Sequence, residues 1–234
     1  MNSNKNNAVI ITENVKKVYS DNGIPVPAVR GIDLTINKGE FTAIVGPSGS
    51  GKTTFLNIIS GLDEVTEGKV WLNGKLISDM SGRELSDFRR DNIGFIFQAY
   101  NLIPVLTVEE NIEYIMLLQA VPKAERHRRV GEILKTMGLE GFADRIPTQL
   151  SGGQQQRVAV ARAMVSRPAL ILADEPTANL DSKTGIELLD MMRELNEKSG
   201  MTFVFSTHDV KIMERARRLI TLKDGRIDSD ENRG

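Results

Sequence analysis

The run Gly46-Pro47-Ser48-Gly49-Ser50-Gly51-Lys52-Thr53 fits the pattern G-x-x-x-x-G-K-[ST] and follows the apolar segment Phe41 to Val45. A strand, a glycine turn and then a helix is the setting in which this pattern cradles phosphate. Its glycines let the backbone curl so that several N–H groups converge, and the helix behind them turns its positive end toward the anion. Lys52 is suited to neutralise β- and γ-phosphate charge, and the Thr53 hydroxyl to meet Mg2+. Gly46 through Thr54 are therefore the candidate nucleotide-binding residues, against the alternative of an ordinary glycine-rich turn before a helix.

Two further segments carry chemistry. Leu170-Ile171-Leu172-Ala173-Asp174-Glu175 is an apolar strand ending in two acids, and ligands collect at strand ends in α/β sheets. Asp174 is placed to hold Mg2+, through water, beside Thr53. Glu175 is placed to orient or deprotonate the water that attacks a γ-phosphate, although both acids could instead cap the following turn. Leu150-Ser151-Gly152-Gly153-Gln154 offers a second anion-binding turn in a chain that already has one, which suggests that it serves another subunit's nucleotide. Ser151 can begin a helix whose free N–H groups and dipole favour an anion, and a plain N-cap and turn is the alternative.

These groups need a parallel sheet to position them. Short apolar runs at Ala8 to Thr12, Ile32 to Ile36, Phe41 to Val45 and Val70 to Leu72, punctuated by Asn22-Gly23 and Asn73-Gly74, predict a β-rich N-terminal stretch. Asn92 to Phe97 reads as another strand. The capping box from Thr107 to Glu110 and the one-face spacing of Val130, Ile133, Leu134 and Met137 then predict a helical subdomain over about 99–150. Beyond Ser151, helix and strand alternate (Gln154 to Val165, Ala169 to Ala173, Ser182 to Glu197, Met201 to Phe205), which argues for a parallel core. Arg218 to Leu222 and a short strand after Asp224-Gly225 finish the chain. The fold class expected is α/β: a phosphate-loop core with a mostly parallel sheet, an antiparallel β-subdomain and an inserted helical subdomain. One domain is expected over residues 1–234, with the core over about 1–98 and 151–234.

Composition narrows the function classes. With 30 basic and 31 acidic residues, the chain shows no electrostatic footprint for nucleic acid. It has no cysteine and only 2 histidines, so a disulfide framework or a zinc site is not expected. Met1 to Asn7 is polar, and no apolar run approaches bilayer length, so a cytoplasmic location is expected. The basic run Arg126-His127-Arg128-Arg129 reads as a solvated helix face rather than a headgroup site.

Taken in order, Gly46 to Thr53, Leu150 to Gln154 and Asp174-Glu175 resemble the ATPase subunit of an ATP-binding-cassette (ABC) transporter, over Val9 to about Ile227. The resemblance implies ATP and Mg2+ as cofactors and a head-to-tail pair of identical chains. In that pair Ser151, Gly152, Gly153 and Gln154 of one copy close on the γ-phosphate held by Lys52 of the other. Gln98 resembles the glutamine that reaches Mg2+ and the attacking water, and His208 the histidine that contacts the γ-phosphate. Tyr19 resembles the aromatic residue that stacks on adenine, with a core position as its alternative. Asn179-Leu180-Asp181 resembles a loop that couples the two sites, or is an ordinary turn whose Asp181 or Ser182 caps the next helix.

Ile93-Gly94-Phe95-Ile96-Phe97-Gln98, Asn101-Leu102-Ile103-Pro104 and Leu62-Asp63 before Thr66-Glu67-Gly68 look most similar to the lipoprotein-release and macrolide-export group. That likeness implies a membrane permease as partner, with the chain peripheral on the inner face of the cell membrane. One departure is Asn111-Ile112-Glu113-Tyr114-Ile115, where that group often has proline. A β-branched residue there keeps the helix straight and its N–H available.

Overall fold

The computed structural model describes residues 7–233, so the polar N-terminal stretch lies outside the described residues except for Asn7. Strands β1 (Ala8–Asp21) and β2 (Ile24–Asn37) form a long antiparallel hairpin. Its Asn22-Gly23 turn has positive φ at both residues, the geometry that matches right-handed strand twist. Strand β3 (Phe41–Val45) leads through the glycine loop into α1 (Lys52–Ile59). Strands β4 (Glu67–Leu72) and β5 (Lys75–Leu76) turn about Asn73-Gly74, and α2 (Gly82–Asn92) runs directly into β6 (Ile93–Ile96).

Helices α3 (Val108–Leu118) and α4 (Lys123–Thr136) follow, then α5 (Gly152–Met164), β7 (Leu170–Asp174) and α6 (Ser182–Ser199). The chain closes with β8 (Thr202–Thr207), α7 (Val210–Arg215), β9 (Arg218–Lys223) and β10 (Arg226–Asn232). The capping box at α3 forms as its sequence demands: Thr107 N–H donates to Glu110 Oε2 at 2.8 Å and Glu110 N–H to Thr107 Oγ1 at 3.2 Å. With Ile115 in its middle, α3 runs unbroken.

Two sheets result. The smaller is antiparallel, in the order β2-β1-β4-β5, and the larger runs β10-β9-β3-β8-β7-β6. In the larger sheet β9, β3, β8, β7 and β6 are parallel and β10 pairs antiparallel at the edge. Both faces are covered, so β3 and β8 are buried along their whole length.

Alternation decides which side chain faces which layer. Phe41, Ala43, Val45, Ile171, Ala173, Phe203 and Phe205 join a cluster with α3, α4, α5 and α6. Their neighbours Ile44, Leu170, Leu172 and Val204 point the other way, onto α1 and the antiparallel sheet. Because the strands are parallel, the carboxyl ends of β3, β6, β7 and β8 open on one edge, where Gly46, Gln98, Asp174 and His208 emerge.

Candidate nucleotide site

The glycine loop owes its shape to close backbone approach. Gly46 has φ 150, and a Cβ built on it would stand 2.1 Å from the Leu222 carbonyl oxygen of β9. Gly51 has φ 99, and its Cβ would stand 2.5 Å from the Ala28 oxygen of β2. The loop is thus pressed between both sheets, with room for backbone alone. Helix α1 starts at Gly51 with no side-chain cap, whereas Ser, Thr or Asp side chains cap α2, α3, α5, α6 and α7. Its first N–H groups and dipole remain available to an anion. Lys52 Nζ lies at the same mouth, donating to the Gly46 and Pro47 carbonyls at 2.8 and 3.0 Å.

A cleft of about 690 Å³ opens here, lined by Gly46 to Gly49, Gly51 to Thr54, Gln98, Asp174, Glu175 and His208. Residues far apart in sequence thus meet as anticipated from their order along the chain. Ser50 is buried behind the loop and does not line the cleft.

Glu175 sits in the left-handed region at φ 45. Its carboxylate accepts from Thr207 Oγ1 at 2.9 Å and from the His208 N–H at 3.1 Å, while His208 Nδ1 lies 2.5 Å from the same Oε1. It therefore does not cap the turn that follows. The His208 side chain is 76% exposed and that of Glu175 only 16%, so the ring reaches in from solvent over a sheltered acid.

Ser151 caps α5 in a reciprocal box: its Oγ accepts from Gln154 N–H at 3.3 Å, and Gln154 Oε1 accepts from Ser151 N–H at 2.9 Å. Ser151, Gly152, Gly153 and Gln154 line a second depression of about 430 Å³ together with Asn179, Leu180 and Asp181. The two depressions share no lining residue.

Tyr19 lines neither. It is 40% exposed, which removes the core alternative. Its hydroxyl donates to Asp63 Oδ2 at 2.6 Å, and Lys17 Nζ sits 5.0 Å from the ring centroid. Asp181 caps α6 through Lys183 and Thr184 N–H groups, while Asn179 Nδ2 donates to the Gln98 carbonyl at 2.8 Å. The arginines of the basic run pair with Glu113, Glu125 and Glu132. Arg128 and Arg129 pair along α4 itself, whereas Arg126 reaches Glu113 of α3 with its side chain only 14% exposed, so the face is ion-paired and in part buried where a solvated one was expected.

The ABC transporter family model matches residues 29–178. An ABC transporter ATP-binding protein of Thermotoga maritima is 47% identical, over 94% of this chain and 94% of its own length. The chain belongs to the ABC transporter family. The ATP-binding cassette MJ0796 of Methanocaldococcus jannaschii, solved as a post-hydrolysis dimer with ADP and Pi, superposes with a TM-score of 0.88 at 45% identity, covering 96% of this chain and 99% of that one. The macrolide export ATP-binding/permease protein MacB of Brucella melitensis is 43% identical over 95% of this chain but only 34% of its own length. The match falls on a third of that longer polypeptide.

In this ABC ATPase the donor set suits its ion. Thr53, Gln98 and Asp174 offer hard oxygen atoms, and among the described residues no group of three or more His, Cys, Asp or Glu could hold a metal by itself. Few protein ligands and a phosphate-binding cradle are what Mg2+ needs, since it keeps waters and shares phosphate oxygens.

Two residues outside the sequence-predicted site shape the acids. Ser206 hydrogen-bonds Asp174, and Thr207 hydrogen-bonds Glu175. Two hydroxyls ending a buried apolar strand, next to a strand ending in acids, would have been the signal.

Burial raises the Asp174 carboxyl above the usual aspartate range, the Ser206 bond lowers it, Glu175 raises it and Lys52 lowers it. A folded-state value above the unfolded one means that the ionised form opposes folding, so stability falls as pH rises through that window. Asp174→Asn should accordingly raise the thermal midpoint at neutral pH while removing Mg2+-dependent turnover. The gain should vanish in acid, where the wild-type carboxyl is neutral in both states. An equal or lower midpoint at neutral pH would contradict the burial argument.

Proposed function

We propose that this ATPase works as a head-to-tail dimer around two ATP molecules and drives a membrane permease of the lipoprotein-release or macrolide-export kind. The observation that carries this reading is the separation of the two anion-binding turns into depressions with no common residue. A second copy turned about a two-fold axis supplies Ser151, Gly152 and Gly153 to the cleft that holds Lys52, which is how an isologous pair completes a site.

Each residue then has work matched to its surroundings. The amides of Gly46 to Thr54 and the Lys52 ammonium hold the phosphates, and Tyr19 offers its ring to adenine. Thr53, Gln98 and Asp174 would hold Mg2+, directly or through water, and the ion would supply neutralisation of phosphate charge. Glu175 takes the proton of the attacking water, His208 bonds both Glu175 and the γ-phosphate, and Thr207 fixes the second carboxylate oxygen.

Segment 99–150 is the subdomain that meets the permease. Val105, Tyr114, Leu117 and Leu118 there are 82, 41, 50 and 51% exposed, an apolar surface suited to a cytosolic helix of a membrane subunit. Among the described residues no helix is long and apolar enough to cross a membrane, which fits a peripheral place on its inner face.

Mixing tests the shared site. Ser151→Arg and Lys52→Ala chains are each expected to be inactive. In equal mixture, half the dimers carry one site with both halves intact, giving roughly a quarter of wild-type turnover if the sites are independent. No recovery, with mixed dimers demonstrated by mass, would remove the shared-site reading.

A further inference from the structure

Arg162, on α5, forms no ion pair among the described residues. Its guanidinium donates instead to two backbone carbonyls: Nη1 to Asn101 O at 2.5 Å and Nη2 to Tyr100 O at 2.8 Å. Burial lowers its pKa, so the charge is kept where water would serve it better. The two residues it grips are consecutive and non-glycine, and both are left-handed, with φ 59 at Tyr100 and φ 50 at Asn101. Residues with a Cβ seldom adopt that conformation, and two in succession need outside support.

This turn begins two residues after Gln98. Its first N–H, that of Tyr100, returns to Phe97 O at 3.2 Å, and the Gln98 carbonyl is held by Asn179. At the other end of α5, the Tyr100 hydroxyl lies over Gly152, 3.0 Å from where a Cβ would stand. The turn is therefore held from the far end of α5 by Arg162 and lies against the start of the same helix through Tyr100.

We propose that Arg162 is a positioning residue for Mg2+: by holding the Tyr100-Asn101 turn it fixes where Gln98 presents its amide oxygen in the nucleotide cleft. The inference rests on the reading of Gln98 as a metal ligand given above. A forked guanidinium spans two carbonyls, which neither an ammonium nor an amide can do with the same geometry. Loss of the fork should let the turn relax and Gln98 drift, while the phosphate loop, on another strand, stays as it is.

The test uses the full chain and a fluorescent ATP analogue, reading the Mg2+ concentration that half-restores tight binding. Wild type is compared with Gln98→Ala, Arg162→Lys, Arg162→Gln and Gln98→Ala combined with Arg162→Lys. Each single variant is expected to raise the midpoint roughly tenfold, as loss of supporting residues around a metal does. The double variant should go no higher, and binding of the analogue without Mg2+ should be unchanged. Amide hydrogen exchange over residues 99–102 should quicken in both Arg162 variants.

An unshifted Gln98→Ala curve overturns the metal role of Gln98, and the inference with it. A shifted Gln98→Ala curve beside unshifted Arg162 curves overturns the inference alone. It is also overturned if the two effects multiply, or if Arg162→Lys and Arg162→Gln weaken Mg2+-free binding as much as Mg2+-dependent binding, since that marks a general loss of fold.

Discussion

Glu175→Gln is expected to slow ATP hydrolysis by roughly two to four orders of magnitude, the usual contribution of a positioned base, while nucleotide affinity stays within about twofold of wild type. The carboxylate has donors on both oxygens, Thr207 Oγ1 on one and the His208 N–H on the other. An amide can accept on one oxygen only, so one donor will face an NH2 group, and no basic site remains for a proton. The residue sits on the cleft wall rather than in the phosphate loop, which is why binding should survive. A nucleotide-bound dimer should accumulate and be visible by size exclusion with ATP. Removing the Glu175 charge should also let the Asp174 carboxyl fall back toward the usual range, because Glu175 contributes to raising it. Wild-type single-turnover rates in this variant would take Glu175 out of the chemistry.

Gly46→Ala is expected to destabilise the chain by about 2–5 kcal/mol and to abolish tight ATP binding, through backbone strain and overpacking together. The atom a Cβ would strike, 2.1 Å away, is a main-chain carbonyl of Leu222 and cannot rotate aside. Either β9 or the loop must move, and the convergent N–H groups move with the loop. Gly49→Ala is the matched comparison. Gly49 also has positive φ, 77, yet a Cβ there would meet nothing within 4 Å. Only the left-handed penalty of about 1–2 kcal/mol applies to it. Denaturant unfolding with nucleotide titration separates the two. Equal losses in both variants would show that φ strain, and not the approach to Leu222, governs the loop.

What could be seen in the sequence was what depends on local chemistry. The glycine loop, the acids ending β7 and the run Phe41 to Val45 each carry their own signal, and family order placed Gln98 and His208 on the same cleft. Helix α2 was not foreseen, though Ser81 and Glu84 form a capping box at its start. Its core-facing side is only Leu85 and Phe88, both partly buried, among charged neighbours, too narrow a stripe to stand out in the sequence. Helix α7 has only six residues, too few to show a period. Strand β1 was legible only as Ala8 to Thr12, because register shifts beyond Thr12 break its alternation before it ends at Asp21. The roles of Ser206, Thr207 and Arg162 depend on which strand or turn lies beside them, and neighbours across a sheet or along another helix leave no mark in a single sequence.

The isolation of the α5 start from the phosphate loop has a kinetic consequence. If neither half of the machinery suffices, turnover per molecule in dilute solution should climb with protein concentration and level off only once pairs predominate. Copies not yet assembled would then sit idle however much nucleotide surrounds them. Fuel consumption would be licensed by encounter, and a membrane component that gathers two copies side by side would act as a switch simply by raising their local abundance.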